Sequence, residues 1–140
     1  MKSRLTWWLA ACLSFTPILV SIHNGFAARV LERDVTYISL GIVVLYCLIT
    51  AWLGWALHFG DTAQHIDARL WAYWYAESAP QIGLIGTVIG LVLLFGLSGD
   101  TAALDEQAIF NGIGTAIFTT LVGAVYGVFM GVQLTILGEQ

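Results

Sequence analysis

Apolar residues in this chain come in long, nearly unbroken runs, unlike the strict alternation of a half-buried strand or the single apolar stripe of a surface helix. A helix needs roughly 20 mostly apolar residues to cross a bilayer. Four runs are candidates: Leu5–Ile22, Val35–Leu57, Ile82–Leu97 and Ile109–Leu137. They predict an all-α, polytopic membrane protein with four transmembrane helices, forming a single membrane domain over residues 1–140. The intervening pieces are a short loop from His23 to Asp34, a segment over 58–81, and a turn from Ser98 to Phe110. None is large enough to build a soluble domain.

Lys2, Arg4 and Arg69 fall on one side of this arrangement and Arg29 and Arg33 on the other. By the basic-residue bias of inner loops, both termini are expected in the cytoplasm. Trp7 and Trp8, and Trp52 and Trp55, suit anchors at the membrane interface. Met1–Arg4, an apolar run and Gly25-Phe26-Ala27 also have the layout of a secretory signal, but the run is long for one, which favours a retained helix. In the cytoplasmic 58–81 segment, Ile66, Leu70 and Trp74 share one helical face. That face fits an amphipathic stretch on the membrane surface, a cytoplasmic continuation of the second helix, or a docking site for a partner. Pro80 reads as the start of the third helix, since first-turn N–H groups have no intrahelical acceptor to lose.

Composition agrees with the pattern: 59% of residues are hydrophobic and 10% charged, against about 25% charged in a soluble domain. A net charge of −4 with five Lys and Arg leaves no basic surface for nucleic acid. Cys12 and Cys47 lie inside apolar runs and behave as small hydrophobes. No metal or other cofactor is expected.

The third and fourth spans carry the chemistry. Gly83, Gly86, Thr87 and Gly90 form one stripe at 100° per residue, and Gly112, Ala116, Thr119, Thr120, Gly123, Gly127 and Gly131 form one side of the fourth span. Small faces let helices approach closely, and glycine costs roughly 1 kcal/mol against alanine in a helix interior. A face this rich in glycine implies a compensating contact. Thr87 and Thr120 lie on these faces and are candidates to line an ion pathway, joined by Thr119 and Thr115; the alternative is that each hydroxyl bonds the i−4 carbonyl of its own helix. Neither Ile82–Leu97 nor Ile109–Leu137 contains Asp, Glu, His, Lys or Arg. Membrane proton relays are built from such residues, so a proton path here needs a carboxylate from another chain.

The run Ala79-Pro80-Gln81-Ile82-Gly83-Leu84-Ile85-Gly86-Thr87-Val88-Ile89-Gly90-Leu91, followed across a short acidic loop by Ile113-Gly114-Thr115-Ala116-Ile117-Phe118-Thr119-Thr120-Leu121-Val122-Gly123, resembles the MotA/TolQ/ExbB proton-channel family. The resemblance covers roughly the last sixty residues and describes a compact member lacking the family's large cytoplasmic region. It implies a homopentamer in the bacterial inner membrane, its third and fourth helices lining a channel around a single-span partner of the MotB, ExbD or TolR kind that supplies an Asp. On this resemblance Thr87 and Thr120 match the pore-facing hydroxyl positions and Pro80 the proline at the inner end of the third helix. The implied function is conversion of H⁺ or Na⁺ flow into mechanical work.

Other classes fit less of the sequence. Gly96-Leu97-Ser98-Gly99 resembles the serine string of rhomboid proteases, but His23, His58 and His65 all precede Ser98, whereas that family draws its base from a later helix. A small four-helix exporter would carry a Glu in its first helix, and Leu5–Ile22 has none. A passive structural or assembly subunit without ion conduction is the main alternative, because glycine faces by themselves specify association.

Overall fold

The computed structural model of the 140-residue chain describes residues 2–34, 36–96 and 106–138. Five helices account for nearly all of them: α1 (Lys2–His23), α2 (Phe26–Arg33), α3 (Ile38–Phe59), α4 (Thr62–Gly96) and α5 (Glu106–Gly138). No strand occurs among the described residues. α1, α3, α4 and α5 are each long and apolar enough to cross a membrane, so the chain is an all-α, multi-pass membrane protein.

The expected loop from His23 to Asp34 contains α2. Gly25, in the left-handed region at φ 66°, allows the break between α1 and α2. At the other end, the wholly buried Asp34 organises the turn into α3. Its carboxylate accepts from the Thr36 backbone N–H at 3.2 Å, the Thr36 hydroxyl at 2.7 Å and the Ser39 backbone N–H at 2.9 Å. Asp34 thus satisfies a first-turn donor of α3 that Tyr37, at φ 55°, does not cap with its own side chain.

The segment over 58–81 is not a separate surface stretch. α3 stops at Gly60, whose N–H closes on the Ala56 carbonyl at 2.9 Å. Asp61 and Gln64 then form a reciprocal cap: Gln64 N–H donates to Asp61 Oδ1 at 2.9 Å, and Asp61 N–H donates to Gln64 Oε1 at 3.3 Å. From this start α4 runs unbroken for 35 residues, about 52 Å at the α-helical rise. Pro80 therefore lies in the interior of α4 and does not begin it. The reason is twofold: the cap at Asp61 supplies the true start, and packed neighbours let a membrane helix absorb a proline. His65, Asp67, Arg69 and Glu77 also belong to this helix, so the absence of ionisable side chains holds for its second half only.

α3 runs antiparallel to the first half of α4: the Tyr75 hydroxyl donates to the Ile42 carbonyl at 2.9 Å and the Trp52 and Trp71 rings lie 6.5 Å apart. α1 runs antiparallel to α3 on its other side, with Trp7 against Gly54 and Ser14 against Tyr46. Trp7 is 1% exposed, so it fills the cleft over Gly54 and is no interfacial anchor, whereas Trp8, Trp52 and Trp55 are exposed. The core is closed by Tyr46, Leu53, Tyr75 and Met130. At its centre the Tyr46 hydroxyl donates to Ser14 Oγ, and the Gln133 amide donates to the Tyr46 oxygen at 2.7 Å and to Ser14 Oγ at 3.4 Å. One buried polar knot thereby ties α1, α3 and α5 together. α3 begins level with Ile82, beside Ile38 and Gly41, so the second half of α4 and the first half of α5 project past it as a hairpin.

Candidate ion-pathway site

The α4–α5 pairing is built on glycine. A Cβ on Gly83 would lie 2.7 Å from the Thr119 carbonyl oxygen and 3.3 Å from Gly123 Cα; one on Gly123 would lie 2.5 Å from the Ala79 carbonyl oxygen and 3.1 Å from Gly83 Cα. Gly90 meets the Gly112 carbonyl and the Ala116 backbone, both at 2.7 Å, and Gly86 meets the Thr119 side chain at 2.6 Å. Gly127 makes room for Pro80, whose Cγ and Cδ lie 3.0 Å from its would-be Cβ. At Gly83, Gly90 and Gly123 backbone sits on backbone, closer than any side chain permits, while Gly86 and Gly127 accommodate the side chains of Thr119 and Pro80. Gly131 differs: nothing lies within 4 Å of where its Cβ would be. Five of the six candidate packing glycines therefore serve the contact between α4 and α5 of one chain, and Gly131 does not.

That approach brings Thr87 and Thr120 together across the helix seam. Their hydroxyls are hydrogen-bonded to each other. Thr87 Oγ1 also reaches its own i−4 carbonyl, Gly83, and the Ala116 carbonyl, both at 3.2 Å. Thr120 Oγ1 reaches the same two in mirror fashion, Ala116 at 3.0 Å and Gly83 at 3.4 Å. With one proton on each hydroxyl, one is engaged in the mutual bond and the other reaches a carbonyl. Such a pair can run in either direction, so it can donate to an external acceptor or accept from an external donor. Back-bonding and the cross-helix contact, posed as alternatives from sequence, coexist here.

The other two candidate hydroxyls are placed elsewhere. Thr115 and Thr119 are wholly buried, and Thr119 donates to the Thr115 carbonyl at 2.7 Å while its side chain packs on Gly86. A β-branched side chain at these positions fills the seam, whereas Thr120 is exposed and Thr87 half-buried. Around the Thr87–Thr120 pair the hairpin surface is apolar: Leu84, Ile85, Val88, Ile117 and Leu121 are all exposed. No cluster of three or more His, Cys, Asp or Glu able to hold a metal occurs among the described residues. The Ser98 string and the acidic residues Asp100 and Asp105 lie outside the described residues. Asp34 and the Ser14–Tyr46–Gln133 knot were missed by sequence reasoning. The available signal was a lone amide, Gln133, in an otherwise apolar run.

Comparison with known proteins places this hairpin. The profile of the MotA/TolQ/ExbB proton channel family matches residues 61–140, which is α4 and α5. A biopolymer transport protein, exbB1 of Vibrio cholerae, is 36% identical over 51 residues, covering 36% of this chain and 22% of that protein. The biopolymer transport protein ExbB of Aquifex aeolicus is 32% identical over 53 residues, covering 38% of this chain and 36% of that protein. The matched part thus spans little more than a third of these relatives at most. No solved structure gives a significant match.

Proposed function

Because the chain belongs to the MotA/TolQ/ExbB proton channel family, we propose that it is a subunit of an ion-motive-force-driven channel in the bacterial inner membrane, which couples H⁺ or Na⁺ flow to work on another component. In this reading five copies assemble with their α4–α5 hairpins around a single-span partner that carries a membrane-embedded Asp. The observation that carries it is the hydroxyl pair Thr87–Thr120, held on an exposed apolar hairpin face that has no carboxylate of its own between Ile82 and Gly96. A burial-sensitive Asp brought beside this pair would be offered a donor when ionised and an acceptor when protonated. That lowers the cost of holding either state inside the bilayer, as repeated loading and unloading demands. The apolar residues flanking the pair would meet the neighbouring copies.

The reading is tested by Thr87→Val and Thr120→Val, which keep shape and remove the hydroxyl. Partner-dependent ion flux in liposomes should fall sharply in the double variant while oligomer mass stays as in the wild type, and Thr→Ser at both positions should retain much of the flux. Full flux in the double Val variant would overturn the assignment. A passive assembly subunit is favoured by one observation, that both hydroxyls already reach carbonyls of their own helices. That alternative predicts wild-type behaviour of the partner complex in every variant that still assembles.

A further inference from the structure

Glu77 is the charged side chain set deepest in α4, about 22 Å along the helix from Thr62. α3 measures its depth. With 22 residues, α3 is about 33 Å long and matches a hydrocarbon core of roughly 30 Å. It begins level with Ile82, and the Tyr75 hydroxyl reaches the Ile42 carbonyl within its span. Glu77 therefore stands about 7 Å inside the level at which α3 begins. Its side chain is exposed on this chain, and Val44 of α3 and Val128 of α5, exposed near the same level, are apolar. Neither α3 nor α5 from Gln107 to Gly138 carries an Asp, Glu, Lys or Arg. The group that meets the Glu77 carboxylate is the Tyr73 hydroxyl, one turn earlier on α4.

A carboxylate at membrane depth is costly, and such residues face a bundle interior or a water-filled cavity, where they mark ion paths. The register of α4 says which face this is. At 100° per residue Glu77 shares one stripe with Leu84, Val88, Leu91 and Phe95, and Leu84 and Val88 flank the Thr87–Thr120 pair. Glu77 thus heads the face on which the pair sits. Polar side chains also lead to it: His65, Arg69, Tyr73, Glu77 and Gln81 follow one another at four-residue steps, a spacing that makes neighbours of successive side chains. Each step rises about 6 Å, and Thr87 lies about 9 Å beyond Gln81. A surface helix packed only against lipid has no use for this ladder.

We propose that Glu77 is a cation-exchange group on the ion route, taking up H⁺ or Na⁺ on its carboxylate between the N-terminal end of α4 and the Thr87–Thr120 pair, with Tyr73 positioning it. This rests on the channel reading of the chain. Uptake of one cation neutralises a charge held among apolar side chains, and its release restores the carboxylate to which the Tyr73 hydroxyl donates. Glu77 adds to the partner's Asp and does not replace it, because about 15 Å along α4 separates it from Thr87.

Two measurements on the full chain in liposomes test it. With a single-span, Asp-bearing partner present, Glu77→Gln should lower ion flux at least several-fold at unchanged oligomer mass, Glu77→Asp should keep most of it, and Tyr73→Phe should fall between. Dicyclohexylcarbodiimide, which modifies carboxyls that take up a proton in apolar surroundings, should label Glu77 in preference to Asp61 and Asp67 when the modified chain is read by mass spectrometry. Sodium ions should slow that labelling if the site takes Na⁺ and leave it unchanged if it takes H⁺ alone. Labelling of Asp61 and Asp67 as readily as Glu77 would overturn the proposal. The two readings fail separately: a wild-type complex without partner-dependent flux overturns the channel and this role with it, whereas a conducting wild type matched by Glu77→Gln overturns the role of Glu77 alone.

Discussion

Placing one methyl group on Gly123 tests the closest point of the α4–α5 contact. In Gly123→Ala the new Cβ would lie 2.5 Å from the Ala79 carbonyl oxygen and 3.1 Å from Gly83 Cα, both backbone atoms that cannot rotate away. Reaching an ordinary carbon–oxygen separation of about 3.4 Å requires the helices to part by roughly 0.9 Å, and overpacking of this kind typically costs about 1–3 kcal/mol. Against this, alanine gains roughly 1 kcal/mol of helix propensity. The net expectation is a loss of about 0–2 kcal/mol. Gly131→Ala is the internal control: nothing lies within 4 Å of its new methyl, so only the propensity gain of roughly 1 kcal/mol remains. Denaturant unfolding in mild detergent, followed by circular dichroism, reads both. Parting the helices should also pull the Thr87 and Thr120 hydroxyls out of contact, so Gly123→Ala should lose partner-dependent flux as well. A Gly123→Ala protein as stable as Gly131→Ala would refute the reasoning.

Two further outcomes follow from the packing. Gln133→Leu removes an amide that donates to Tyr46 and Ser14, and interhelical hydrogen bonds of this sort in membranes are worth about 0.6 kcal/mol and seldom above 1.7; the loss should lie in that range, and a double-mutant cycle with Tyr46→Phe should show coupling, its absence contradicting a shared knot. Pro80→Ala restores a backbone donor inside α4 at the cost of the ring's contact with Gly127, and since an interior proline costs roughly 3 kcal/mol in water, the variant should melt higher than the wild type; a lower melting temperature would mean that the contact with Gly127 dominates.

Much of this architecture is legible in the sequence because hydropathy acts over whole helices. The four apolar runs survive as α1, α3, α4 and α5. What escapes depends on which surface a residue meets. Pro80 satisfies the rules for a helix start, yet the Asp61–Gln64 cap nineteen residues earlier begins the helix, and a Pro inside a membrane helix is tolerated through its neighbours. Trp7 and Trp8 are adjacent and chemically alike, but Trp7 fills the notch left by Gly54, its ring 2.8 Å from the would-be Cβ, and is buried, whereas Trp8 comes only to 3.8 Å and stays exposed. The glycine stripe on α5 is visible from spacing, whereas its partner is not: Gly123 and Gly127 face α4 of the same chain, while Gly131, one turn on, faces open space. Thr119 and Thr120 are likewise neighbours with opposite surroundings, one buried on Gly86 and one exposed beside Thr87. The Asp34 cap depends on a turn geometry around Tyr37 that no periodicity encodes.

The central claim is that the hairpin face with Thr87 and Thr120 completes a channel only when another chain supplies the carboxylate. The most direct measurement is proton and sodium flux across liposomes holding the purified chain alone, the chain with a single-span partner bearing a membrane Asp, and the same complex with that Asp changed to Asn. The account predicts flux in the second preparation only. Robust flux from the chain alone, or undiminished flux in the Asn complex, would contradict it.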